Sequence, residues 1–167
     1  MAQPPLVVLG AGAWGTALAI AAAARQPVLL WARDAAQAAQ MQAARCNARY
    51  LPGQSFPDQL TVTADAARAH AAAASGLAVL GTPMAGLRPT LAALPAGTRT
   101  LWLCKGFEAG SGLLGHEIAR ATRPDLPCGV LSGPSFAQEV ARFQPTALVA
   151  ASADEALTAL AVQVFHS

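Results

Sequence analysis

Lysine is almost missing from this sequence. Of the 11 Lys and Arg residues in 167, only Lys105 is lysine. The arginines are scattered with no two adjacent, so no cationic stripe is available to follow a phosphate backbone, and nucleic-acid binding is excluded as the main function. Charge is sparse altogether, at 12% of residues against 54% hydrophobic and a net +2. Such a balance excludes disorder, because ample apolar surface can offset chain entropy. Cys46, Cys104 and Cys128 are odd in number and widely spaced, which excludes a disulfide framework and a C-x-x-C zinc site and fits a reducing cytoplasm. His70, His116 and His166 form no H-x-x-x-H or E-x-x-H pair, so no metal is expected. Neither a G-x-x-x-x-G-K-[ST] loop nor a G-x-S-x-G elbow occurs, which argues against nucleoside triphosphate hydrolysis and serine esterase chemistry. The length suits one domain with a full core, and about a quarter of the chain is alanine, which favours closely packed helices.

The longest uncharged stretch, Leu6 to Ala24, reaches the length of a membrane span. Its glycines at 10, 12 and 15 and a change of period halfway argue instead for a short buried strand followed by a buried helix, with no membrane insertion. Met-Ala-Gln-Pro-Pro ahead of it lacks the basic residues of a signal peptide. Further apolar runs at 27–31, 60–63, 77–80, 100–104, 128–131 and 147–150 read as strands. Helical stretches are expected from 16, at 35–45, from 65, at 86–93, at 112–121 and at 153–164, with an irregular loop over 47–53. Short apolar strands alternating with three-turn helices predict an α/β fold, a Rossmann-like doubly wound, mostly parallel sheet with helices on both faces. Ligands of such sheets bind beyond the carboxyl ends of the strands, so chemistry is sought there.

The first strand-end loop is Gly10-Ala11-Gly12-Ala13-Trp14-Gly15, a G-x-G-x-x-G between strand and helix. Gly10 permits the tight turn, Gly12 lets a pyrophosphate approach the backbone, and Gly15 lets the helix pack on the strand, with the helix amides facing the phosphates. Trp14 in this loop is either core packing or a cofactor contact. After the second strand stand Arg33 and Asp34. A guanidinium suits a 2′-phosphate, so NADPH is favoured over NADH; Asp34 either meets a ribose or caps the next helix. Lys105, at a strand's carboxyl end before Gly106, offers a compact ammonium able to donate to a carbonyl or hydroxyl oxygen, against the alternative of an ordinary surface lysine. Glu108 either pairs with Lys105 or is solvated. Ser132-Gly-Pro-Ser135-Phe-Ala-Gln138 is another polar strand-end loop, in which Ser135 with Gln138 matches a capping box or Ser135 faces substrate.

Taken in order, Gly10-Ala-Gly-Ala-Trp-Gly-Thr-Ala-Leu-Ala, Trp31-Ala-Arg33, Asn47-Ala-Arg-Tyr-Leu-Pro-Gly53, Lys105-Gly-Phe-Glu108 and Ser132-Gly-Pro-Ser-Phe-Ala-Gln-Glu-Val-Ala141 resemble the bacterial NAD(P)-dependent glycerol-3-phosphate dehydrogenases. The resemblance runs from about Leu6 to Ser167. It implies reversible hydride transfer between NAD(P)H and dihydroxyacetone phosphate to give sn-glycerol 3-phosphate, for phospholipid synthesis in the cytoplasm. It implies further that Ala13, Trp14, Arg33, Lys105 and Ala137 meet NADPH and that Lys105, Gly133 and Ser135 meet the triose phosphate. Phe107 replaces a usual aliphatic residue, and Gly81-Thr-Pro-Met84 stands where valine-proline-serine is commoner. Family members continue into a helical substrate domain carrying a catalytic lysine. Residues 1–167 are therefore expected to be the NAD(P)-binding domain, with that helical domain absent and Lys105 the only lysine available to the chemistry. An exposed last helix and self-association, in the simplest case as a homodimer, are expected in consequence. The rival expectations are a related reductase such as a ketopantoate reductase, and a non-catalytic NADPH sensor.

Overall fold

Four consecutive buried residues, Leu6–Leu9, form strand β1, and their side chains divide between the two faces of a sheet. Leu6 and Val8 enter one core and Val7 and Leu9 the other, as the period of two requires. The computed structural model describes residues 5–166 and shows this pattern repeated through the centre of a seven-stranded sheet. Helix α1 (Ala13–Ala23) leads to β2 (Val28–Trp31), α2 (Ala35–Ala44), the two-stranded hairpin β3 (Cys46–Asn47) and β4 (Leu51–Ser55), and β5 (Leu60–Thr63). Then come α3 (Ala66–Ala74), β6 (Leu77–Leu80), α4 (Met84–Ala93), β7 (Arg99–Trp102) and α5 (Gly115–Thr122). The rest is β8 (Cys128–Ser132), α6 (Ala137–Ala141), β9 (Val149–Ser152) and α7 (Glu155–Phe165).

The strand order is β5-β2-β1-β6-β7-β8-β9, all parallel except β9, which runs antiparallel to β8. From β1 the chain winds outward to β5, then returns to β6 and winds the other way. The switch point therefore lies between β1 and β6, where the loops that follow them diverge and leave a crevice. Apolar residues of α1, α2, α6 and α7 cover one face and those of α3, α4 and α5 the other. This is the Rossmann-like, doubly wound architecture expected from the strand–helix alternation.

The uncharged stretch from Leu6 is split by the turn at Gly10 into β1 and an 11-residue helix, and no helix among the described residues is long and apolar enough to cross a membrane. Several boundaries differ from those read in the sequence. The fourth helix starts earlier, at Met84, and the fifth later, at Gly115. The last strand starts at Val149 rather than 147 and pairs antiparallel at the sheet edge. The 47–53 loop lies within the β3–β4 hairpin, and α6 is an additional short helix. Helix α7 is not left bare, because Leu157, Leu160, Ala161 and Val164 pack into the core. The exposed large apolar side chains lie mainly in the 107–114 and 136–149 segments instead, Phe107 being 68% and Phe136 73% exposed.

Candidate dinucleotide cleft

Three glycines meet at the switch point. Gly10 adopts φ +123°, and a Cβ there would stand 2.7 Å from the carbonyl of Gly81, at the end of β6. A Cβ on Gly15 would overlap the Gly10 carbonyl oxygen and press on Val8. Strand β1, strand β6 and the first turn of α1 are thereby held backbone to backbone, with Gly81 N–H donating to Leu9 O at 2.8 Å, while Gly10 N–H ties the turn to β2 through Trp31 O at 3.0 Å. Gly12 differs. It occupies the N-cap of α1 with no side-chain cap, and a Cβ there would meet nothing within 4 Å. The space above it is open, and the unpaired first-turn amides of α1 face it.

That space belongs to a cleft of about 1170 Å³. Gly10, Gly12, Ala13, Trp14, Arg33, Lys105 and Gly133 all line it. Gly15 lies buried beneath the turn, where close packing is its role. Ser135 and Ala137 do not line the cleft. The Ser135 hydroxyl donates toward Ala147 O at 3.4 Å, and Ala137 packs against the core. The expected Ser135–Gln138 capping box is not formed; Glu139 accepts from Phe136 N–H at 2.8 Å, one residue further on. An ionised carboxylate is the stronger acceptor for an amide, which decides between the two offsets. Trp14 packs against the core and also lines the cleft.

Asp34 caps α2, its Oδ1 accepting from Gln37 N–H at 2.9 Å. The carboxylate next to Arg33 is thus turned into the helix end. Replacing Asp34 with Ala should cost about 1 kcal/mol of stability, read by urea unfolding, while leaving NADPH affinity within about twofold. Glu108 does not pair with Lys105. It takes a two-pronged ion pair from Arg88, at 2.8 Å from Nε and 2.6 Å from Nη2, and a further bond from Ser111 Oγ at 2.6 Å. Arg88 Nη1 also donates to Thr122 Oγ1 at 3.0 Å. The 105–114 loop is pinned to α4 and α5 by this cluster, and Lys105 at its head is exposed at the cleft with no ion-pair partner among the described residues. Half-burial pushes the neighbouring Cys104 thiol up, which keeps it protonated and apolar in character.

Two polar atoms of the cleft lining were not foreseen. Thr82 Oγ1 and Gln37 Nε2 are buried with no hydrogen-bond partner among the described residues. Buried polar groups are normally paired, so both call for an outside partner in the cleft. Asn47 was also missed as a structural anchor. It is 1% exposed, its Nδ2 donating to Ala11 O at 2.9 Å and Thr16 Oγ1 at 2.8 Å, and its Oδ1 accepting from Tyr50 N–H at 3.2 Å. This side chain ties the hairpin to the glycine turn and so carries Arg49 and Tyr50 to the cleft. Its sequence signal was present in the Asn47-Ala-Arg-Tyr-Leu-Pro-Gly53 motif, without a role attached.

A doubly wound sheet with a G-x-G-x-x-G turn at its switch point, an open N-terminal helix end and orphan donors in the crevice defines a Rossmann-like domain of the dinucleotide-binding class. Comparison with known proteins narrows this. A family model described as NAD-dependent glycerol-3-phosphate dehydrogenase N-terminus matches residues 5–158, and the chain belongs to that family. It is 63% identical over 165 residues, covering 97% of this chain and 50% of the other, to a glycerol-3-phosphate dehydrogenase [NAD(P)+] of Methylibium petroleiphilum. Against the protein of that name from Leptothrix cholodnii the identity is 58% over 172 residues, covering 96% of this chain and 51% of the other. The solved structure of glycerol-3-phosphate dehydrogenase from Coxiella burnetii superposes with a TM-score of 0.90 at 33% identity, over 99% of this chain and 51% of that one. The chain spans about half the length of the curated relatives it matches.

Proposed function

We propose that this chain is the cofactor-binding part of a glycerol-3-phosphate dehydrogenase, binding NADPH in preference to NADH. The observation that carries this reading is the Gly12 cradle, an open helix end facing a cleft whose other wall presents Lys105. The fit of a dinucleotide is supported by the buried, unpartnered Thr82 Oγ1 and Gln37 Nε2 in the same cleft. Amides at the start of α1 would hold the pyrophosphate. Arg33 would meet the adenosine side, and a 2′-phosphate suits its guanidinium. The nicotinamide, when bound, supplies the hydride that reduces the carbonyl carbon of dihydroxyacetone phosphate. Lys105 would donate a hydrogen bond to the substrate oxygen and Gly133 would offer a close backbone approach beside it. Ser135 and Ala137, both outside the cleft lining, would reach ligand only after the 133–137 segment moves.

Residues 1–167 form the NAD(P)-binding domain in this proposal, and a helical substrate domain supplies the remaining phosphate contacts and the proton-transferring lysine. The half-length match to the relatives supports that division. A cytoplasmic site of action is supported by the three free thiols, and a homodimer by the exposed phenylalanines at 136 and 143. The test is a titration of the chain with NADPH and with NADH, followed by tryptophan fluorescence. Trp14 and Trp31 line the cleft whereas Trp102 is buried. Saturable quenching, at least about tenfold tighter with NADPH, is expected. A folded chain that binds neither dinucleotide overturns the proposal.

A further inference from the structure

The adenosine end of the cleft holds more positive charge than Arg33 alone explains. Arg33, Gln37, Arg49 and Tyr50 all line the cleft, although they come from the end of β2, from α2 and from the β3–β4 turn. Neither arginine has an ion-pair partner among the described residues. Arg49 lies over the Tyr50 ring, 5.0 Å from its centroid, which restricts the side chain without neutralising it. The Asn47 anchor fixes the turn that carries both residues. Gln37 Nε2 adds a buried donor with nothing to donate to. Asp34, the one carboxylate among the described residues that line the cleft, is engaged by the Gln37 amide. Two cations and an orphan donor around one crevice end form a site for a compact polyanion with several acceptor oxygens.

We infer that Arg49 is a specificity-determining residue of this cleft, closing with Arg33 and Gln37 on the 2′-phosphate that distinguishes NADPH from NADH. The inference rests on the dinucleotide reading above and assigns the discrimination to the hairpin as well as to the β2 end. NADH carries a neutral 2′-hydroxyl and gains little from a second guanidinium.

Isothermal titration of the 167-residue chain and of Arg49→Met with NADPH and NADH tests it, with Arg49→Lys as the conservative variant and thermal unfolding as the folding control. Arg49→Met should weaken NADPH by about tenfold and NADH by under about twofold, with Arg49→Lys recovering part of the loss. The NADPH preference of the parent chain should also shrink as salt is raised, as exposed ion pairs do. Equal loss for both cofactors, or no loss for either, overturns the role of Arg49 and leaves the dinucleotide site standing. A parent chain that binds both cofactors equally also overturns it. Failure of the folded parent to bind either cofactor brings down the underlying reading as well.

Discussion

Gly12→Asp is expected to leave the fold intact, even slightly stabilised, and to weaken NADPH binding by at least about a hundredfold. Gly12 has φ −74° and ψ −177°, an extended conformation open to any residue, and a Cβ there meets nothing within 4 Å. Aspartate is also among the best N-cap residues, worth a few tenths of a kcal/mol over glycine to the helix it caps. The same carboxylate would take the first-turn amides that the pyrophosphate needs and set a negative charge against it. Gly15→Ala should behave in the opposite way. Its Cβ would overlap the Gly10 carbonyl oxygen, which is backbone and cannot step aside, so the cost falls on packing of α1 against β1, at about 1–3 kcal/mol. Urea unfolding and calorimetry on the two variants separate these effects. A Gly12→Asp chain that binds NADPH like its parent would show that the turn does not hold the phosphates.

The steric difference between those two glycines was legible in the sequence, because each position of a G-x-G-x-x-G turn has its own steric reason. The central strands were legible for a related cause. Buried on both faces, they are continuous apolar runs that stand out between polar turns. Strand β9 lies at the edge with alternating exposure, and the apolar residues just before it, Ala147 and Leu148, drew the expected boundary two positions early. The β3–β4 hairpin was hidden by Pro52 and Gly53, which read as breakers. What stabilises it is tertiary, the buried Asn47 bonded to residues 31 and 36 positions away. No local pattern announces such a bond. Arg88 and Glu108 were equally invisible, being 20 positions apart on different elements. The cleft lining thus came partly from local motifs and partly from long-range polar contacts that only the fold brings together.

The Arg88–Glu108 pair should give this domain an acid-sensitive loop. Hydrogen bonds from Arg88, then from Ser111, hold the Glu108 carboxyl at about 2, down from its ordinary 4.5. A depressed folded value means that the unfolded chain binds the proton more readily between those limits. The stabilisation from this group is therefore complete above pH 4.5 and is lost as pH falls toward 2. Asp125 is lowered in the same direction by Arg123, so acid lability alone does not isolate the Glu108 contribution. Comparison with Glu108→Gln does. The stability difference between parent and variant, from urea unfolding, should be constant from pH 7 to about 5 and shrink toward zero by about pH 2. Arg88→Met should shift that fall upward, toward the ordinary carboxylate range, because Ser111 alone remains to favour the ionised form. A difference that does not change with pH would show that the ion pair contributes nothing to holding the loop. Since Lys105 heads this loop, loosening it should also blur the position of the only lysine ammonium among the described residues that line the cleft. NADPH affinity in Arg88→Met is accordingly expected to fall with the Gly12 cradle untouched, and restoring the cation with Arg88→Lys should recover less than half of the loss, since a single ammonium cannot make the two-pronged bond.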